Sequence, residues 1–201
     1  MSNLSLGLNV AGAVIGSAAA SLYGVRIWMG KEQANLATWF TVFILDFVSL
    51  YLADGTGKNK PYIEIGWCVA ATIIVLGLLA TFAKKGKWVW SKTETVVLLV
   101  SFASVLVWLG SKEVIISLLG LATAFVISAI PQAKDYLKNP VVARKSAWVW
   151  QVSIVAILFS IAAKLVNSEF GAEQLLVYIS LLGINTVMTY VCLRGKKAIH
   201  T

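Results

Sequence analysis

Charge is scarce in this chain. Charged residues fill 13% of its 201 positions, about half the share of a soluble domain. So few charges cannot cover a water-facing surface, and hydrophobic residues reach 59% with a mean hydropathy of +0.82. Lipid is the expected solvent. The same figures exclude disorder, which needs low hydrophobicity and high charge. Cysteine is scarce too. Cys68 and Cys192 both lie in apolar runs, where buried thiols are expected and a disulfide scaffold is not. The single histidine is His200. No Cys/His/carboxylate cluster has metal-ligand spacing, and no serine has a histidine base. The chain is expected to be neither an enzyme nor a holder of metal or cofactor.

What is abundant is apolar sequence in long runs. A spanning helix needs roughly 20 such residues. Reading between charges and turn residues gives seven: Leu8–Val25, Leu36–Ala53, Tyr62–Ala83, Thr95–Gly110, Val114–Ile130, Ala147–Ala163 and Gly171–Leu193. Ser91 and Glu94 have the spacing of a capping box. Pro61 suits the first turn of the third run. Residues 54–61 read as a turn-rich loop, and only Ser111-Lys112-Glu113 separate the fourth and fifth runs. The first run has the Ala18-Ala19-Ala20 triplet of a signal-cleavage site, but no Lys or Arg precedes it, so a retained helix is expected.

The net charge of +8 follows the loops. Arg26, Lys31, Lys84, Lys85, Lys87, Lys92, Lys134, Lys138, Arg144, Lys145, Arg194, Lys196 and Lys197 fall on one side of a seven-span map. The other side holds only Lys58, Lys60, Lys112 and Lys164. Basic loops stay cytoplasmic during insertion, so the N-terminus is expected outside and the C-terminus inside. The basic excess thus records insertion, and nucleic acid is not an expected partner. The expected partners are the lipid bilayer and a small-molecule substrate of unknown identity. A homo-oligomer stays open.

Sliding the chain by 109 residues lays Trp39 on Trp148, Leu8 on Ser117 and Tyr62 on Gly171. Three spans in each half then correspond without a gap, with one span between them. The expected fold is an all-α membrane protein with seven transmembrane helices as two parallel three-helix bundles joined by a linker helix. Residues 1–90 form the first bundle, 91–110 the linker and 111–201 the second.

The fifth span ends Ser128-Ala-Ile-Pro-Gln132, followed by the basic stretch to Pro140 and then by Ala147-Trp-Val-Trp150. This pattern resembles the PQ-loop superfamily, which includes SWEET sugar facilitators, nicotinamide riboside transporters and lysosomal amino-acid exporters. Through Gly30-Lys31 and Asn35-Leu-Ala-Thr-Trp39 the chain looks most like bacterial members. The resemblance implies the same seven helices, an outer N-terminus and a bacterial inner (plasma) membrane. It also implies a hinge at Pro131 and Gln132, and a substrate-binding asparagine at Asn185. In the first half the shift puts Leu22-Tyr23 opposite the Pro-Gln pair and Leu76 opposite Asn185, so each feature is present once.

Polar groups inside spans are suspects for function. Asp46 is the only carboxylate deep within a span, and it shares a helical face with Trp39 and Ser49. It reads either as a proton-, cation- or substrate-linked residue or as a structurally paired acid. Gln151 and Asn185 could hydrogen-bond a ligand or a neighbouring helix. Trp39, Trp148 and Trp150 open the paired helices, as cavity walls or interfacial anchors; Trp28, Trp67, Trp88, Trp90 and Trp108 fall near span ends. Gln132 reads as satisfying carbonyls freed by Pro131, and Glu64 and Glu173 as suiting helix starts. Gly12, Gly16 and Ala20 form a small-residue stripe for helix packing. The candidate substrate site is Asp46, Asn185, Gln151, Trp39 and Trp148. The expected function is transport or facilitated passage of a small polar molecule (sugar, nucleoside or vitamin, amino acid) by rocking of two bundles. A non-transporting receptor or scaffold on the same fold is the alternative.

Overall fold

The computed structural model of the protein describes residues 2–55, 62–85, 91–110, 114–166 and 172–194. Within them lie seven α-helices: α1 Asn3–Trp28, α2 Leu36–Gly55, α3 Tyr62–Lys85, α4 Lys92–Gly110, α5 Val114–Lys138, α6 Pro140–Val166 and α7 Ala172–Arg194. Residues 56–61, 111–113, Trp88 and Trp90 lie outside the described residues, as do the side chains of Ser49, Glu64, Trp108 and Glu173.

Local chemistry sets several of these boundaries. Ser2 caps α1 by accepting from the Ser5 N–H at 3.1 Å. The end of α1 is a Schellman motif, in which Gly30 adopts φ +71° and the Lys31 N–H reaches back to the Arg26 carbonyl at 2.8 Å. The expected capping box is present at α4: Ser91 Oγ accepts from the Glu94 N–H at 3.2 Å, and Glu94 Oε2 accepts from the Ser91 N–H at 2.6 Å.

Three expected boundaries differ. The fifth span was expected to end before Pro131, yet α5 runs through Pro131 to Lys138. The sixth was expected from Ala147 after a basic loop, yet α6 begins at Pro140, and α2 continues through Asp54 and Gly55 of the expected turn-rich loop. Asn139 alone separates it from α6, which starts with Pro140 in its first turn. Pro131 leaves one backbone carbonyl without its helical donor. The next N–H, that of Gln132, reaches outside the helix to Thr38 Oγ1 at 3.3 Å. Contacts made by other helices carry α5 across the proline.

Among the described residues, four helical stretches are long and apolar enough to cross a membrane: Asn3–Trp28, Ile65–Ala83, Pro140–Val166 and Val177–Arg194. Leu36–Val48 is apolar but shorter. Val14, Leu76, Leu99, Phe102, Leu158 and Val187 point outward, while Ser5, Thr38, Thr41, Ser128, Ser146 and Ser160 are buried. The interior is apolar as in a water-soluble protein, but so is the exterior, and an outer surface this apolar suits lipid.

Packing follows a simple pattern. α3 lies against both α1 and α2, and α7 against both α5 and α6. The two sets meet along α1–α6 and along α2–α5, and α4 leans on α5 and α2. Small residues permit the closest approaches. A Cβ at Gly77 would stand 2.7 Å from the Gly24 carbonyl oxygen. At Gly12 it would stand 3.1 Å from that of Ala156. Ser5 Oγ donates to the Ala163 carbonyl at 2.9 Å farther along the α1–α6 seam.

The buried residues form two clusters. The larger includes Tyr23, Trp39, Ile74, Tyr136, Trp150 and Met188; the smaller is Leu45, Leu121, Ala124 and Phe125. Val42 and Ile184 pack against both. Both cysteines are buried thiols outside any disulfide, as expected.

Candidate functional site

Val42 of α2 and Ile184 of α7, which pack against both clusters, are neighbours of two candidate site residues. Asp46 lies one turn beyond Val42 on the same strip of α2, and Asn185 follows Ile184 on α7. Asp46 is half-buried, with no hydrogen bond or ion pair among the described residues. Asn185 is 7% exposed, and its Nδ2 donates to the Leu181 carbonyl of its own helix at 2.7 Å. That bond occupies one donor and leaves the amide oxygen free to accept. Thr189, one turn farther along α7, has a buried hydroxyl with no partner among the described residues. A crevice of about 10 Å³ is lined by Leu45, Val48, Ser104, Val105 and Leu121. It is apolar.

The other proposed site residues are placed differently. Gln151 is exposed on the outer face of α6 and does not join Asp46 or Asn185. The sequence offered it as a hydrogen-bond partner for a ligand or a neighbouring helix. But the buried strip of α6 runs through Ala143, Ala147 and Trp150, and Gln151 falls beside it. Trp39 is buried between Tyr23, at 5.6 Å between ring centroids, and Trp150, at 5.9 Å and 27°. Its repeat mate Trp148 is half-buried at the edge of the same cluster. Tyr136 meets Trp150 edge-on at 6.5 Å. These rings form a packed layer across the helices, not an open wall.

Beyond this layer, toward the C-terminal end of α5, the two halves are joined by a polar clasp. Gln132 is fully buried. Its Oε1 accepts from the Asn35 backbone N–H at 2.6 Å, and its Nε2 donates to the Gln33 carbonyl at 3.4 Å. Gln132 therefore holds the α1–α2 connection, where a role within its own helix was expected. The Asn35 side-chain Nδ2 donates to Asp135 Oδ2 at 2.8 Å and to Glu94 Oε1 at 2.9 Å. Glu94 thus caps α4 and contacts the clasp at once. Glu32 is buried; it accepts from Arg26 Nε at 3.0 Å and from the Ser146 hydroxyl. A relay completes the set. Trp150 Nε1 donates to the Tyr136 hydroxyl at 3.4 Å, which lies 3.2 Å from that of Tyr23. Tyr23 donates to the Gln33 carbonyl at 3.1 Å, so its oxygen receives the Tyr136 proton.

Glu32, Ser146, Tyr23, Tyr136 and Asp135 were not among the candidates. One signal existed. The 109-residue shift pairs Tyr23 with Gln132, and in the structure both donate to the Gln33 carbonyl. Tyr23 does in the first half part of what Gln132 does in the second.

No known protein family, curated protein or solved structure matches this chain. Among the described residues no three His, Cys, Asp or Glu side chains gather as metal ligands. The arrangement places a hydrogen-bonded polar cluster at one end of the ring layer.

Proposed function

We propose that the protein is a multi-pass membrane transporter or facilitator of a small polar molecule. All seven helices span the bilayer, as two parallel three-helix bundles joined by α4, with the N-terminus outside. The helix contacts support this reading. Exchanging α1, α2 and α3 for α5, α6 and α7 turns α1–α3 into α5–α7, α2–α3 into α6–α7 and α1–α6 into α5–α2, all of which are contacts. Only α4 has no mate. That is the pattern of a parallel repeat, which the resemblance to PQ-loop proteins also implies.

The observation that carries the function is the clasp. The α1–α6 seam closes through Ser5 and Gly12, whereas α2 and α5 are tied by directional hydrogen bonds at one end. Hydrogen bonds can be exchanged for water at modest net cost, so such a closure can open. The α1–α6 seam is then the pivot, and the ring layer with the clasp is the inner gate below Asp46 and Asn185. Leu22 and Leu76, which replace the second proline and asparagine and face outward, favour the other reading, a receptor or scaffold. Purified protein in liposomes, tested with labelled sugars, nucleosides and amino acids, separates the two. Uptake of one solute is expected, and it falls when Asp46 and Asn185 are both changed to alanine. No uptake across the panel leaves the receptor reading.

A further inference from the structure

Of the three central polar groups, Asp46 carries the charge, and Asn185 and Thr189 are neutral. Resting on the transport reading above, we infer that the ligand held between α2 and α7 is a small organic cation. Its ammonium group binds the Asp46 carboxylate, and the Asn185 amide oxygen is the second acceptor. Asp46 has no counter-charge among the described residues, whose lysines and arginines lie near helix ends. The Asn185 amide has one donor tied to Leu181, which leaves its oxygen as the open acceptor. Thr189 adds a buried hydroxyl without a partner one turn away. An anion here would face Asp46 with nothing to neutralise either charge. A neutral polyol is compatible only with a protonated Asp46. A cation gives an ionised Asp46 its counter-charge.

The test is direct binding to the purified full chain in detergent, followed by calorimetry and tryptophan fluorescence. The probes are methylammonium, tetramethylammonium and choline, each beside its uncharged carbon isostere. At least one cation binds saturably, and its isostere binds tenfold more weakly or worse. Asp46→Asn removes that preference, weakening the cation about tenfold, as expected for a charge-assisted bond. Asp46→Glu keeps it, and Asn185→Leu weakens binding without abolishing the charge preference. These last two variants decide the matter if Asp46→Asn does not fold. Equal binding of isosteres, unchanged affinity in Asp46→Asn, or no binding of any cation at neutral and alkaline pH overturns the inference. Binding without uptake into liposomes leaves the cation site standing and removes transport. Uptake of a neutral solute with no cation binding does the reverse.

Discussion

Gln132 satisfies three polar groups of another segment: the Asn35 N–H, the Gln33 carbonyl and the Thr38 hydroxyl. Its side chain supplies an acceptor and a donor at once, which no apolar residue and no single-function polar residue can copy. Gln132→Ala strands the buried Asn35 N–H, at a cost of about 1–3 kcal/mol. A lower thermal midpoint in detergent and faster hydrogen exchange at the Asn35 amide are the expected readings. An unchanged Asn35 exchange rate counts against the clasp. Glu32 follows the same logic with charge: it is buried, and its ion pair to the more exposed Arg26 is accompanied by the Ser146 hydroxyl. A buried carboxylate is tolerable only when so accompanied. None of this was legible from spacing. Polar residues in a loop are ordinary, and Asn35 meets Gln132 across 97 residues of sequence and Glu32 meets Ser146 across 114.

The helices were far more legible than these contacts, because hydropathy reports solvent directly while pairing depends on which helices meet. Each of the seven expected runs falls largely within one helix. The error at Pro131 is informative. Proline removes one hydrogen bond, which is reason enough to end an isolated helix, but Thr38 from α2 supports the next turn. Proline inside a supported helix leaves a soft point there, consistent with the proposed hinge. The glycines divide similarly. Gly12 faces the Ala156 backbone, whereas a Cβ at Gly7 meets nothing within 4 Å. Gly12→Leu forces α1 from α6 and destabilises by about 1–3 kcal/mol. Gly7→Ala stabilises by up to about 1 kcal/mol through helix propensity alone. Opposite shifts of the thermal midpoint are therefore expected from two glycines on one helix. If both variants shift it the same way, the seam is not packed as described.

On the scale of the whole molecule the question is whether the clasp is a gate or a fixed staple. The distinction matters because a staple would serve a receptor as well as a transporter. Cys192 provides a native reporter. It is fully buried in the larger cluster with Tyr136 and Trp150, on the side of the clasp. Cys68 is buried near the start of α3, toward the opposite end. A thiol reacts only when it is reached as thiolate, so a buried one is silent until its cover opens. If the clasp is a gate, Gln132→Ala shifts the open–closed balance, and each 1.4 kcal/mol of shift raises the open fraction about tenfold. In inside-out vesicles an impermeant maleimide then labels Cys192 about tenfold faster in Gln132→Ala than in the parent chain. Cys68 labelling from the same side does not change. Equal acceleration at both cysteines would mean general loosening of the helices. No acceleration at Cys192, with the variant folded, would make the clasp a staple and shift the balance toward the receptor. Because α2 and α5 are tied at the clasp while α1 and α6 are close-packed along their seam, the acceleration is expected to survive changes on α6 near Ala156 and Ala163, away from Ser146 and Trp150, but not a disulfide placed between α2 and α5.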